Sequence, residues 1–323
     1  MLQEMTDEKA RQLLAGSREL NWAFPSSQGT PIIKGHATSQ RVEQAVEERE
    51  SYANAARVLL ENRDEDGAAE IASNAWRLWA VARDLDGGRA FLADVLDTGE
   101  KKARARSLAS YGDALLAFRQ GKLEESRQRS RAALDAALAV NDREALTLAY
   151  LALSRLEFED GDYAQSLTLA VKSREFARNL DLAMGQAPLF LHAQATRMTG
   201  DYDHAAALFE QSLDLNRKIN DQGMVRAELQ NLGLVEIHPG NIDSGERYFA
   251  ESERLGSEND PYGNAMTHLY RSAFEFVRGN KDRSRILLQR AQSILKEAKI
   301  DAAPDDQFEI NWLRGKLEKV VRD

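Results

Sequence analysis

Small and apolar residues along this chain recur in one register, every 39 or 40 positions, and each recurrence is marked by a glycine. The turn signals are Gly121-Lys122-Leu123, Gly161-Asp162-Tyr163, Gly200-Asp201-Tyr202, Gly240-Asn241-Ile242 and Gly279-Asn280-Lys281. Seven positions before the glycine stand Ala114, Ser154, Ala193, Gly233 and Ser272, and five after it stand Ser126, Ser166, Ala205, Gly245 and Ser284. Twelve after it come Ala133, Ser173, Ser212, Ser252 and Ala291, while bulkier Phe209, Phe249 and Leu288 lie nine after it. A degenerate copy, Arg83-Asp84-Leu85, sits 38 positions before Gly121 and carries Gly88 and Leu92 at the matching places. The pattern predicts pairs of antiparallel helices joined by a tight turn. The glycine ends the first helix as a C-cap, and small residues lie where the two helices approach closely.

One such pair cannot bury its own apolar face, so successive pairs must stack. Polar turns between pairs, such as Asn141-Asp142, Asn220-Asp221 and Glu258-Asn259-Asp260-Pro261, supply Asp and Asn as N-caps for the following helix. The organisation read from this is residues 1–40, an N-terminal helix starting near Thr6 and an irregular segment; 41–300, the repeat array; and 301–323, a C-terminal capping helix. The irregular stretch 21–40 holds Pro25, Gly29, Pro31 and Gly35 together with Trp22, Phe24, Ile32 and Ile33. Such apolar content fits a segment that packs along the first hairpins, or one that docks elsewhere. The last segment carries Phe308, Trp312, Leu313, Leu317 and Val320 at helical spacing, as a solubilising end cap requires.

Composition narrows the function. A formal net charge of −9 argues against general nucleic-acid binding, which needs a basic footprint, and against docking on an anionic membrane. The absence of cysteine excludes disulfides and thiolate chemistry. With no secretory signal and no apolar run near the ~20 residues of a membrane span, the expected compartment is the cytoplasm. The five histidines, His36, His192, His204, His238 and His268, show no zinc-ligand spacing. There is no phosphate-binding glycine loop and no nucleophile elbow. No catalytic residue, metal or cofactor is therefore expected, and the chain is read as non-enzymatic.

The Gln230-Asn231-Leu232-Gly233-Leu234 helix, the Gly-Asp-Tyr turns and the early small residue of the second helix together resemble the tetratricopeptide repeat (TPR). The period is longer than the usual ~34 residues, and this long form resembles the helical region of bacterial STAND-class ATPases and LuxR-type regulators. Asn74-Ala75-Trp76-Arg77-Leu78-Trp79 looks like the start of that region. The resemblance implies an all-α fold: a right-handed α-solenoid of stacked antiparallel helix pairs, a TPR-like superhelix of about six repeats plus terminal helices. It also implies that the first helix of each pair lines a binding groove. The groove positions it points to include Arg77, Tyr111, Arg119, Arg155, Phe158, Glu159, Gln194, Arg197, Gln230, Asn231 and Tyr270. Arginines beside aromatic anchors suit carboxylates, so the ligand would be a protein or peptide segment, with an acidic one among the candidates. Alternatively, these arginines pair internally with local acids such as Glu157 and Glu159. A protein-binding adaptor is the first expectation, a ligand- or peptide-sensing regulatory module the second, and an enzyme on a helical scaffold the third. Oligomeric state is open.

Overall fold

The computed structural model describes residues 5–18, 20, 22–25, 31–33, 46–98, 104–256 and 260–319. Helices dominate these residues. The chain begins with α1 (Asp7–Ser17), then a short antiparallel strand pair, β1 (Trp22–Pro25) and β2 (Pro31–Ile33), with Trp22 opposite Ile33 and Ala23 opposite Ile32. The strand pair corrects the reading of this stretch as wholly irregular. The apolar side chains Trp22, Phe24, Ile32 and Ile33, and with them the expectation of packing or docking, lie outside what is described, as does His36.

From residue 49 the helices follow one another with short turns: α2 (Arg49–Glu61), α3 (Glu65–Ala75), α4 (Arg77–Ala82), α5 (Leu85–Leu96), α6 (Arg104–Arg119), α7 (Leu123–Val140), α8 (Arg143–Glu159) and α9 (Tyr163–Ala177). They continue with α10 (Leu182–Met198), α11 (Tyr202–Lys218), α12 (Gln222–Ile237), α13 (Ile242–Arg254), α14 (Pro261–Val277), α15 (Lys281–Ala298) and α16 (Pro304–Lys319). Apart from the strand pair, the described elements are all helices, ordered as successive helix pairs.

Turn chemistry explains the boundaries. All five register glycines have positive φ, from 71° at Gly121 to 103° at Gly240, a region closed to most side chains. In the degenerate copy Arg83 takes the same conformation at φ 58°. Arg63, at φ 61° between α2 and α3, marks an earlier turn with no glycine to announce it. The expected aspartate caps are made: Asp142 accepts from the Ala145 N–H at 2.9 Å, Asp221 from Met224 at 3.1 Å and Asp260 from Gly263 at 2.9 Å. The small-residue stripe also has a physical role beyond allowing close approach. Ser126 Oγ donates to the Ala114 carbonyl at 2.8 Å and Ser272 Oγ to the Ser284 carbonyl at 2.7 Å, both buried and both across a hairpin. Gly233 and Gly245 replace that bond by direct contact, since a Cβ on Gly233 would overlap the Phe249 ring.

The helices form two compact units. Unit 1 comprises Met1–Leu156 and Leu169–Pro188, and unit 2 comprises Glu157–Thr168 and Leu189–Asp323. In unit 1, α1 is tied to the first hairpin by Arg11 with Asp64 (3.2 Å), Arg18 with Glu70 (2.6 Å) and Asn62 with Asp7 (2.9 Å). The α3–α4 helix breaks at Trp76, whose ring is fully buried. In unit 2, one apolar core joins Phe249, Leu269, Phe274 and Leu288 to Ile310, Leu313 and Leu317 of the last helix.

Candidate functional site

The groove positions expected from the sequence fall into two groups, one in each unit. In unit 1, Arg77, Tyr111, Arg119 and Arg155 come together on the first helices of successive hairpins. Tyr111 is buried, packs edge-on against Trp76 with centroids 6.0 Å apart, and accepts a hydrogen bond from Arg155 Nη1 at 3.3 Å. Arg77 is half-buried and stacks over the Trp76 ring at 4.5 Å. Burial lowers its pKa, opposed by Tyr111 and Glu144, while the positive charge of Arg119 lowers it further. Arg119 is exposed as a residue, yet protein surrounds its guanidinium closely enough that burial, and then the like charge of Arg155, depress its pKa too.

Most other arginines here have acid partners. Arg89 meets Asp113 and Glu125, Arg129 meets Asp113, and Arg104 meets Asp142 and Glu144. Among the described residues Arg119 and Arg155 have no carboxylate within salt-bridge distance. A cavity of about 460 Å³ in the same unit is lined by Arg18, Glu70, Trp76, Arg77, Arg104, Tyr111 and Glu144 among others. Sequence reading did not find Arg18, Glu70, Arg104 or Glu144, because they belong to different helices with no common spacing.

In unit 2 the expected positions face a segment of the chain itself. Arg197 is only 3% exposed. It donates to Asp305 Oδ2 at 2.8 Å and Glu309 Oε1 at 3.1 Å, both at the start of α16. Gln194 donates to the same Asp305 oxygen at 3.0 Å, and His238 Nε2 lies 2.9 Å from Glu309 Oε1. Asp306 accepts from the Tyr262 hydroxyl at 2.5 Å and from the Tyr270 hydroxyl. Arg197 is thus paired internally, but with the acids of the last helix. Burial opposes its charge, and Asp305 and Glu309 more than restore it, so its pKa is raised. Burial, then the neighbouring Asp305 charge, pushes Asp306 up to about 7 against the pull of the two tyrosine hydrogen bonds and Arg197.

The remaining positions are more ordinary. Phe158 is buried against Tyr163, with centroids 5.2 Å apart. Glu159 is exposed, and partial burial, Asp160 and Asp305 raise its pKa. Gln230 donates to Thr267 Oγ1 at 2.9 Å, and Asn231 to the Ala227 carbonyl at 3.0 Å. Asp305, Asp306, Glu309 and Tyr262 escaped the sequence reading. The signal was present as an acidic first turn on the last helix, but its target lies 108 residues from Asp305, at Arg197.

No family model and no curated protein matches this sequence. Solved structures do match. The structure of Rap protein complexed with competence and sporulation factor aligns at TM-score 0.62 and 12% identity over 96% of this chain and 81% of that one. NprR in complex with its cognate peptide NprX aligns at TM-score 0.57 and 14% identity, covering 89% of this chain and 87% of that one. A tetratricopeptide repeat protein from Parabacteroides merdae aligns at TM-score 0.51 and 12% identity, over 85% of this chain and all of that one. The chain has the all-α fold of a TPR-like helical-repeat protein. Among the described residues no helix is long and apolar enough to cross a membrane.

Proposed function

We propose that this chain is a non-enzymatic binding module that holds an acidic segment of a partner protein or peptide on the first-helix face of unit 1. Arg119 and Arg155 receive the carboxylates, and Arg77, Tyr111 and Trp76 flank them. The observation that carries this reading is the proximity of Arg119 and Arg155 without a carboxylate among the described residues. Two guanidinium groups held together repel each other. A carboxylate placed between them removes that repulsion and gains charge-assisted, potentially bidentate hydrogen bonds. The nearby arginines whose acids are already engaged offer no such gain.

A peptide is the fitting ligand class, since NprR, whose structure this fold resembles, was solved in complex with its cognate peptide. This leads to a second reading, a peptide- or ligand-sensing regulatory module. It is favoured by the cavity of about 460 Å³ beside Arg77 and Tyr111, whose charged lining suits a small polar ligand.

The test is selection from a random peptide display library against the full chain, followed by affinity measurements on the winners. Enrichment of Asp and Glu is expected, with binding weakened roughly 10- to 100-fold by Arg119→Ala/Arg155→Ala, the range of a hot-spot contact. Selected peptides without acidic residues, bound equally well by the variant and with the same salt dependence, would remove these arginines from the site. For the sensor reading, native mass spectrometry of the purified chain should show a retained small molecule that Arg77→Ala releases.

A further inference from the structure

Among the described residues of unit 2, side chains of the repeat converge by hydrogen bonds on the last helix's acidic turn, whose carboxyl groups all come from a five-residue stretch, Asp305 to Glu309. Arg197 and Gln194 of α10, His238 after α12, and Tyr262 and Tyr270 of α14 converge on Asp305, Asp306 and Glu309. Tyr262 also accepts the Ala303 N–H at 2.9 Å, gripping the backbone just before the helix. This division of labour is that of a receptor and its ligand. We infer that the first-helix face of unit 2 is a docking site for an amphipathic helix with an acidic first turn, and that residues 304–319 are its tethered, exchangeable occupant.

Several features make exchange feasible. Three carboxyl groups are buried against one guanidinium and one imidazole, with Asp305, Asp306 and Glu309 at 2%, 4% and 1% exposure. Arg197 Nε, Asp305 Oδ1 and Glu309 Oε2 are buried without a hydrogen-bond partner. Excess negative charge and unsatisfied polar atoms reduce what the contact contributes. The helix is joined to α15 only through residues 299–303, starting from Lys299 at φ 55°. The partner that fits repeats the pattern of this segment. It has acids at Asp305, Asp306 and Glu309 and apolar residues at Ile310, Leu313 and Leu317, which enter the core of unit 2. The inference concerns unit 2 alone and does not rest on the arginines of unit 1.

The experiment uses the full chain and a fluorescein-labelled peptide with the sequence of residues 301–319. Against the tethered helix, with an effective concentration on the order of mM, the free peptide competes poorly. Asp305→Asn/Glu309→Gln in the chain weakens the tethered copy, and peptide anisotropy should then report binding about tenfold tighter than to the wild type. Adding Arg197→Met should abolish that gain, and the same comparison made in an Arg119→Ala/Arg155→Ala background should show the gain undiminished. A folded Asp305→Asn/Glu309→Gln chain that shows no saturable binding, or binding indifferent to Arg197→Met, overturns the inference. Amide exchange on the wild-type chain is an independent check. Residues 304–319 should exchange faster than 261–277, and equal rates for the two segments would mean that the last helix leaves only when the unit unfolds.

Discussion

Replacing Asp306 with asparagine should make the protein more stable at neutral pH and less sensitive to pH. The carboxyl group is 4% exposed, beside Asp305, and accepts from the Tyr262 and Tyr270 hydroxyls. Its pKa lies at about 7 in the fold, against an ordinary 3.8. Between these values the folded state holds a proton that the unfolded chain has released. The contribution to stability is therefore complete below the unfolded pKa, declines as pH rises, and is gone above about 7. The slope is at most ~1.4 kcal/mol per pH unit. Over the whole window this amounts to at most ~4 kcal/mol, and the loss of one of the two tyrosine-accepting oxygens in the amide brings the expected difference nearer ~2–3 kcal/mol. Asparagine keeps an acceptor for the tyrosines and never ionises. Urea denaturation of both proteins, followed by circular dichroism across a pH series, measures the effect. The two should be similar near about pH 4.5, with the variant ahead by ~2–3 kcal/mol near pH 7.5. A difference that stays constant across the series, or a variant that is less stable at the upper end, would refute the assignment of a buried, protonated Asp306.

Two further substitutions probe the packing of unit 2. Arg197→Met leaves Asp305 and Glu309 buried without their cation and should cost about 3–5 kcal/mol, as breaking one side of a buried ion pair does. Asp305→Asn/Glu309→Gln in the same chain should recover part of that loss, as read from denaturation midpoints. Gly233→Ala should destabilise by about 1–3 kcal/mol through overpacking against Phe249, although Ala114 and Ala193 occupy the same register position. The added Phe249→Leu should relieve it, and a Gly233→Ala chain as stable as wild type would show that the ring has room to move.

The helical hairpins were legible because turn chemistry is local. Five glycines in register announced five left-handed turns, and all five adopt them. The aspartates after Asn141 and Asn220 announced caps that form three residues on. Where the local signal was missing the reading fell short. Arg63 and Arg83 adopt left-handed turns without glycine, and only Arg83 was recognised, through its spacing. The strand pair at Trp22–Pro25 and Pro31–Ile33 was hidden among prolines and glycines that read as irregular chain.

The groove residues were legible as a class but not in their state. Arg119, Arg155 and Arg197 stand two, six and three positions before the turn glycines of successive repeats, all positions expected to face the groove, and nothing local says which of them meets an acid. The structure separates them. Arg197 is sealed beneath the acidic turn of the last helix, while Arg119 and Arg155 meet no acid among the described residues. The repeat, its turns, its small-residue stripe and its all-helical character were set by the sequence, through backbone conformations and close approaches decided within a few tens of residues. Which charges are matched and which are left open was decided only by tertiary folding. Ion pairing depends on which segment reaches a given surface, and the acids that meet Arg197 arrive from more than a hundred residues away.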